Sequence, residues 1–262
     1  LFIDEAHRGL GTGSDKGTTD SVNKTIYSII IDGQDGTNKP MPCVVGISAT
    51  PERFNNAMRG RKNRDMKAGV DVPVSEVRAS GLIKDTIELR TPKMAANTKH
   101  QDLTQACVKL ATASKYWKDY CMEHNVLPVI IPLMVVQVED KVTKETLTEL
   151  CSQIHKTLPW LDVSDCFANV FGEHEDIVTT AGNIPYVNPE DVSERTEIRI
   201  LFAKDAVSTG WDCPRAEVIY SRRKRKDPTY IAQLIGRMIR TPLARRIEAV
   251  EELNVVVCYL PE

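Results

Sequence analysis

The sequence of 262 residues has no apolar run long enough to cross a bilayer and no signal peptide, so no membrane is expected as a partner and a cytoplasmic setting is. It also has no C-x-x-C pair. Its seven cysteines, Cys43, Cys107, Cys121, Cys151, Cys166, Cys213 and Cys258, are scattered, several within apolar segments, which argues for reduced core thiols over a zinc site or a disulfide framework. A dominant charge of one sign is missing too: the formal net charge is −2, so any surface for a polyanion must be local. It is local. Ser221 to Arg246 holds nine Lys and Arg against the single Asp227, and a second basic run spans Arg53 to Lys67. Hydrophobic residues make up 42% of the chain, enough for one and a half to two cored domains at this length.

Within the larger basic stretch, Gln233-Leu-Ile-Gly-Arg-Met-Ile-Arg240 reads as part of a helix starting at Pro228. Gln233, Arg237 and Arg240 fall at i, i+4 and i+7 and project from nearly one face. Two always-charged planar forks on one face make a clamp suited to phosphate. The alternative is an amphipathic helix with solvated arginines and a packed face of Leu234, Ile235, Met238 and Ile239. At the other end of the chain, the apolar strand Leu1-Phe-Ile runs into Asp4 and Glu5. Such a strand tip can offer one carboxylate to a magnesium ion and the second to an attacking water. Ser48-Ala-Thr50 follows a strand over Cys43–Ile47, and Asp205 to Asp212 follows a strand over Ile198–Ala203.

Four short signatures in this order resemble the superfamily 2 nucleic-acid helicases and translocases of the DEAH-box type. Asp4-Glu-Ala-His7 is similar to motif II, Ser48-Ala-Thr50 to motif III, Gly210-Trp-Asp212 to the end of motif V, and Gln233-x-x-Gly-Arg-x-x-Arg240 to motif VI. Ser208 to Ala216 and Pro132 to Val138 look most like the helicase subunit of type III restriction enzymes and related defence helicases. The resemblance implies an α/β fold of tandem RecA-like domains of the P-loop NTPase type, with ATP and Mg2+ between them. It implies that Asp4 holds the metal and that Glu5 and Gln233 serve the water. Arg237 and Arg240 act on the γ-phosphate, Gly210 and Asp212 bind the nucleotide, and His7, Ser48 and Thr50 couple hydrolysis to movement. Nucleic acid, double-stranded DNA in this family, falls to Lys204, Thr209, Arg222 and Arg223, with modification, specificity or other defence subunits as further partners. Two departures are visible: Lys204 stands where a Thr often opens motif V, and Leu234 stands where DEAH relatives often have Arg.

The phosphate-binding loop G-x-x-x-x-G-K-S/T is missing from the sequence, and Gly9 to Gly17 is no substitute because no Gly-Lys-Ser/Thr closes it. The expectation is therefore a piece of a longer motor: the later part of a first domain up to about residue 95, then a complete second domain over 96–262. A catalytically degenerate nucleic-acid-binding scaffold is the other class of function, and a restriction endonuclease whose nuclease carboxylates lie beyond Glu262 a third.

The rest of the chain gives coarser expectations. A helix is expected over Thr19–Ile31, an edge or crossover strand at Ile83–Leu89, and an interdomain link from Thr91 to Gln101. A helix from Asp102 to Asn125 should bury Leu103, Cys107, Leu110, Trp117 and Cys121. Strands are expected at Val129–Val138, with Pro132 at its start or at a bulge, and at Asp165–Gly172, Ile198–Ala203, Ala216–Tyr220 and Leu253–Leu260, with a helix at Lys144–Leu158. This alternation predicts a mostly parallel sheet. Residues 182–194 read as loop. Ser48 and Thr50 also stand where they can cap a helix at Pro51, which does not exclude the first role, Trp211 fits a core in preference to a base-stacking site, and Glu173-His-Glu-Asp176 reads as a solvated turn in preference to a metal site.

Overall fold

The structure, a computed structural model, describes residues 1–4, 6, 28–33, 37–48, 51–59, 61, 64–91, 100–204, 211–223, 235–236 and 238–261. The chain divides into two compact units, Leu1–Asp71 and Val72–Glu262.

In the first unit, β1 (Phe2–Ile3) runs parallel to β2 (Val45–Gly46). Hydrogen bonds extend the pairing at both ends: Val45 donates to Leu1 O at 2.8 Å and Ile47 to Ile3 O at 2.8 Å. Ile3, Ala6, Ile31 of the helical residues 28–32, and Met58 of α1 (Glu52–Arg59) form its core, with Val44, Phe54 and Ala57 against them. The strand was expected to be buried on both faces, but Val45 and Ile47 are exposed. The pleat explains it: Val44 and Gly46 turn toward Phe54, so Val45 and Ile47 turn away. A Cβ at Gly46 would stand 2.9 Å from three Phe54 ring carbons, so the ring lies directly on the strand backbone.

The second unit is built on a six-stranded sheet in the order β3-β10-β9-β4-β8-β5, and every neighbouring pair is parallel. The strands are β3 (Thr86–Arg90), β4 (Leu133–Gln137), β5 (Phe167–Asn169), β8 (Ile200–Ala203), β9 (Ala216–Ser221) and β10 (Val255–Tyr259). The α/β class with a mostly parallel sheet flanked by helices is thus as the alternating pattern predicts. The sheet's pleat sorts its side chains into two cores. Met134, Val136, Ile200 and Phe202 meet Leu103, Cys107 and Leu110 of α3 (Gln101–Glu123) and Leu147, Leu150 and Ile154 of α4 (Lys144–Thr157). Leu133, Val135, Leu201 and Ile219 meet Trp211, Cys213, Ile235 and Met238 on the other face. Continuous burial of β4 on both faces is what an interior parallel strand requires. Pro132 lies just ahead of β4, where the ladder needs no N–H from it, and the register with β9 shifts between Leu133 and Met134.

β3 is the edge strand beside β10, where an edge or crossover strand was expected. Two stretches differ from expectation. The strand expected over Asp165–Gly172 is shortened by α5 (Val163–Cys166), because Asp162 accepts from Ser164 N at 2.8 Å and caps a helical turn. Residues 182–184 form β7, which pairs antiparallel with β6 (Ile177–Thr179) instead of lying in a loop. Gly182, at φ 143°, lets this hairpin come within contact of Val163, which a side chain there would obstruct. The expected helices over Thr19–Ile31 and from Pro228 lie mostly outside the described residues.

Candidate functional site

The first unit brings the acidic strand tip and the Ser48 segment side by side. Ile47 donates to Ile3 O and its own carbonyl accepts from Ala6 N at 3.1 Å, so the turn through Asp4 wraps the peptide that leads into Ser48. Asp4 is exposed at the tip of β1, while Ile3 and Ala6 on either side are buried and hold it there. The donor set suits a hard ion that keeps its waters and needs one protein carboxylate. It does not suit a closed metal cage: among the described residues no three His, Cys, Asp or Glu are grouped to hold an ion. Arg61 and Arg64, in the smaller basic run, are engaged inside this unit. Arg61 pairs with Asp32 and Arg64 donates to Ile31 O, both at the end of helical residues 28–32, where cations favour the exposed carbonyls.

In the second unit, Asp212 and Arg240 meet. Arg240 Nη1 donates to Asp212 Oδ2 at 2.5 Å, with 62% and 41% of the two side chains exposed. Their neighbours fix them from below: Trp211 and Cys213 beside Asp212, and Ile235 and Met238 ahead of Arg240, are buried in the same core. Trp211 is therefore a core residue. Asp212 Oδ1, by contrast, is buried and has no hydrogen-bond partner among the described residues. The backbone around Arg240 is clamped by residues 81–84: Lys84 donates to Ile239 O at 2.6 Å, Thr241 to Leu82 O at 3.0 Å, and Ile83 bridges Arg240. Thr241 Oγ1 adds a bond to Gly81 O at 2.7 Å.

A second grouping lies at the carboxyl ends of the strands, the edge at which open α/β sheets take ligands. Lys204 follows β8, Arg222 and Arg223 follow β9, and each is paired with an acid from a neighbouring strand end. Lys204 pairs with Glu173 and lies 4.6 Å over the Phe171 ring; Arg222 pairs with Glu139 at 3.3 Å; Arg223 pairs with Asp140 at 2.8 Å and donates to Lys204 O. The hydrogen bond from Lys204 holds the Glu173 carboxyl below its usual range. Arg223 is 8% exposed, so it serves here as a pin between strand ends. Sequence reading could find the cations but not their partners, because Glu139, Asp140 and Glu173 reach them only through the strand order. In the same turn Asp176 accepts from Tyr186 N at 2.8 Å and from Asn183 at 3.2 Å, and His174 stacks on Tyr186 at 4.8 Å.

Three buried charged side chains were not expected. Arg215 uses all five of its N–H donors on the carbonyls of Ile131, Val192, Ser193, Arg195 and Ile198, at 2.7–3.1 Å. Lys84 and Glu217 form a fully buried pair at 3.3 Å, and Trp117 Nε1 donates to the same Glu217 oxygen at 2.5 Å. Burial lowers the Lys84 pKa, with Glu217 opposing the shift. The available signal was a glutamate inside the apolar run Ala216–Tyr220, which demands a buried partner. Of the residues singled out from sequence, Glu5, His7, Thr50, Thr209, Gly210, Gln233 and Arg237 lie outside the described residues.

No protein-family model and no curated protein matches the chain. Among solved structures, it is similar to Dbp5 of S. cerevisiae bound to Gle1 and IP6, at 12% identity and a TM-score of 0.44, covering 100% of this chain and 51% of that one. It is similar to a fragment of an HsdR subunit of a type I restriction enzyme from Vibrio vulnificus, at 16% identity and a TM-score of 0.38, covering 82% and 39%. It is also similar to the yeast DEAD-box splicing factor Prp28, at 15% identity and a TM-score of 0.34, covering 100% and 45%. The chain thus spans between 39% and 51% of the length of these structures.

Proposed function

We propose that this chain is the motor part of an ATP-dependent nucleic-acid helicase or translocase of superfamily 2. A first RecA-like domain would end near residue 95 and a second would follow it, with β3 lent to the second sheet. The observation that carries the reading is the Asp212–Arg240 pair. Two segments 28 residues apart, each resembling the end of a different helicase motif, meet side chain to side chain.

In this reading Arg240, together with Arg237, stabilises charge on the γ-phosphate. Its present partner does not oppose that role. An ion pair this exposed contributes about 0–1 kcal/mol, and a polyphosphate offers several anionic oxygens in the geometry an arginine fork prefers. Asp212 Oδ1, without a partner among the described residues, is an acceptor suited to a ribose hydroxyl or a neighbouring amide. Asp4 meets the single-carboxylate requirement of magnesium, which when bound neutralises phosphate charge. Glu5 orients and deprotonates the attacking water, assisted by Gln233. Ser48, wrapped against the Asp4 turn by the Ile47 hydrogen bonds, reports the state of that turn to the chain beyond it, with Thr50 and His7 in the same role.

Nucleic acid is met through its backbone by Lys204, Thr209 and Arg222, with Arg223 set behind them, which favours binding with little sequence preference and steep salt dependence. Lys204 and Arg222 exchange exposed carboxylates for phosphates, whereas the deeply set Arg223 acts by holding the Lys204 carbonyl. DNA as the track, and defence or modification subunits as partners, follow from the likeness of Ser208 to Ala216 to the type III restriction helicases. The test is ATP turnover by the natural-length protein with and without DNA or RNA. Stimulated hydrolysis that is lost in Glu5→Gln supports the motor. Nucleic-acid binding without any hydrolysis would assign the chain to the degenerate scaffold instead.

A further inference from the structure

The buried Lys84–Glu217 pair sits beneath the residue on which that reading depends. Both side chains are fully buried, and Glu217 Oε1 receives Lys84 Nζ and Trp117 Nε1 while Oε2 has no partner among the described residues. Such a pair is a poor device for stability, since desolvating two charges offsets most of their attraction and apolar residues of the same volume often do as well. What a charge pair does supply is a single register: it is satisfied in one place, where an apolar contact tolerates sliding.

The place it fixes is the clamp on Arg240. From Leu82 to Ile87, Lys84 is the one buried residue. Its main chain donates to Ile239 O at 2.6 Å, and its neighbours Leu82 and Ile83 complete the short ladder to Thr241 and Arg240. Gly81, at φ 69°, is pressed against the chain at Arg246, where a Cβ would come within 2.3 Å of Arg246 N. The far end is tied as well, with Asp85 N donating to Asn254 O at 2.9 Å and Arg246 donating to the Asp85 carboxylate at 2.7 Å. Among the described residues Arg240 itself has only an exposed, exchangeable partner in Asp212. Its position is thus set from the core, through one lysine.

We propose that Lys84 is a positioning residue. Its pairing with Glu217 fixes the register of residues 81–84 against 239–241, and so the point from which the Arg240 guanidinium reaches its phosphate. This rests on Arg240 acting in ATP hydrolysis, as argued above.

The test compares Lys84→Met, Glu217→Gln and the double variant in the natural-length protein. Lys84→Met alone strands the Glu217 charge and lowers stability. The double variant keeps the Trp117 hydrogen bond and the volume, and recovers stability. Amide hydrogen exchange at Lys84 and Thr241 is expected to rise about tenfold or more in Glu217→Gln and in the double variant, with β4 unaffected. kcat for ATP falls about tenfold or more at unchanged KM, and adding Arg240→Ala to the double variant costs far less than it does in the wild type. Unchanged exchange at Lys84 and Thr241, or wild-type kcat in a double variant of native stability, overturns the positioning role. Accelerated exchange together with an Arg240→Ala protein of normal kcat would instead overturn the assignment of Arg240 and leave the clamp standing. Should Lys84→Met not fold, Glu217→Gln alone gives the same readings.

Discussion

Arg215→Met should unfold the second unit far more easily, and Arg215→Lys should rescue it only in part. Arg215 is 5% exposed and its guanidinium donates to five carbonyls on three segments: Ile131 ahead of β4, Val192, Ser193 and Arg195, and Ile198 ahead of β8. It closes the amino ends of two central strands without a hydrogen-bonded carboxylate, relying on carbonyl dipoles to hold a charge whose pKa burial pulls down. A hydrogen bond to a charged group contributes about 1.5–3 kcal/mol. Five of them simply summed would rival the 5–15 kcal/mol that stabilises a whole domain, so addition overstates the case: some carbonyls regain water, and the cost of burying the cation is removed. A net loss of about 3–5 kcal/mol remains, the range seen when one member of a buried charge set is deleted. Lysine keeps the charge but brings three donors from one point, so it cannot span three segments and should lose about 2–3 kcal/mol. Urea unfolding followed through the buried Trp117 and Trp211 measures this. Coincident midpoints for wild type, Lys and Met would refute the argument; Lys equal to wild type would show that charge, not the fork, matters.

Gly46→Ala should destabilise the first unit by about 1–3 kcal/mol, because its Cβ would lie 2.9 Å from the Phe54 ring; Phe54→Leu in the same chain should recover part of that, read by thermal melting. Glu173 should titrate below an ordinary glutamate in an NMR pH series. Because its folded pKa is depressed, the contribution of the Lys204 pair is present above the ordinary glutamate value and is lost as pH falls through the lowered one, and Lys204→Met should return the midpoint to normal. Thiol labelling at pH 8, mapped by mass spectrometry, should modify exposed Cys43 rapidly. Buried Cys107, Cys151 and Cys258, with thiols pushed up to about 12 by desolvation, should react only on unfolding.

What the sequence shows best is what a single periodicity decides. The apolar run Val129–Val138 reads as a buried strand, of which the structure keeps Leu133–Gln137, and the spacing of Leu103, Cys107, Leu110, Trp117 and Cys121 places one buried face of α3 without further information. The hairpin of β6 and β7 was hidden because three-residue strands carry too little pattern, and the α5 cap at Asp162 overrides the strand propensity that follows it. Within the site, Asp212 and Arg240 were each legible as motif ends, yet their contact is a product of the fold. The same holds for the acids that neutralise Lys204, Arg222 and Arg223, and for the carbonyls that hold Arg215: partners supplied by strand order leave no local trace. Glu217 did leave one, a lone charge inside an apolar strand, and it pointed to Lys84 only once β3 and β9 had been brought into one sheet.

The proposed action of Arg240 on ATP is measured most directly by the steady-state ATP turnover of the natural-length protein at saturating nucleic acid, wild type against Arg240→Ala. A loss of about 10³-fold or more in kcat with the fold intact is the predicted result; an Arg240→Ala protein that hydrolyses ATP at the wild-type rate would contradict it.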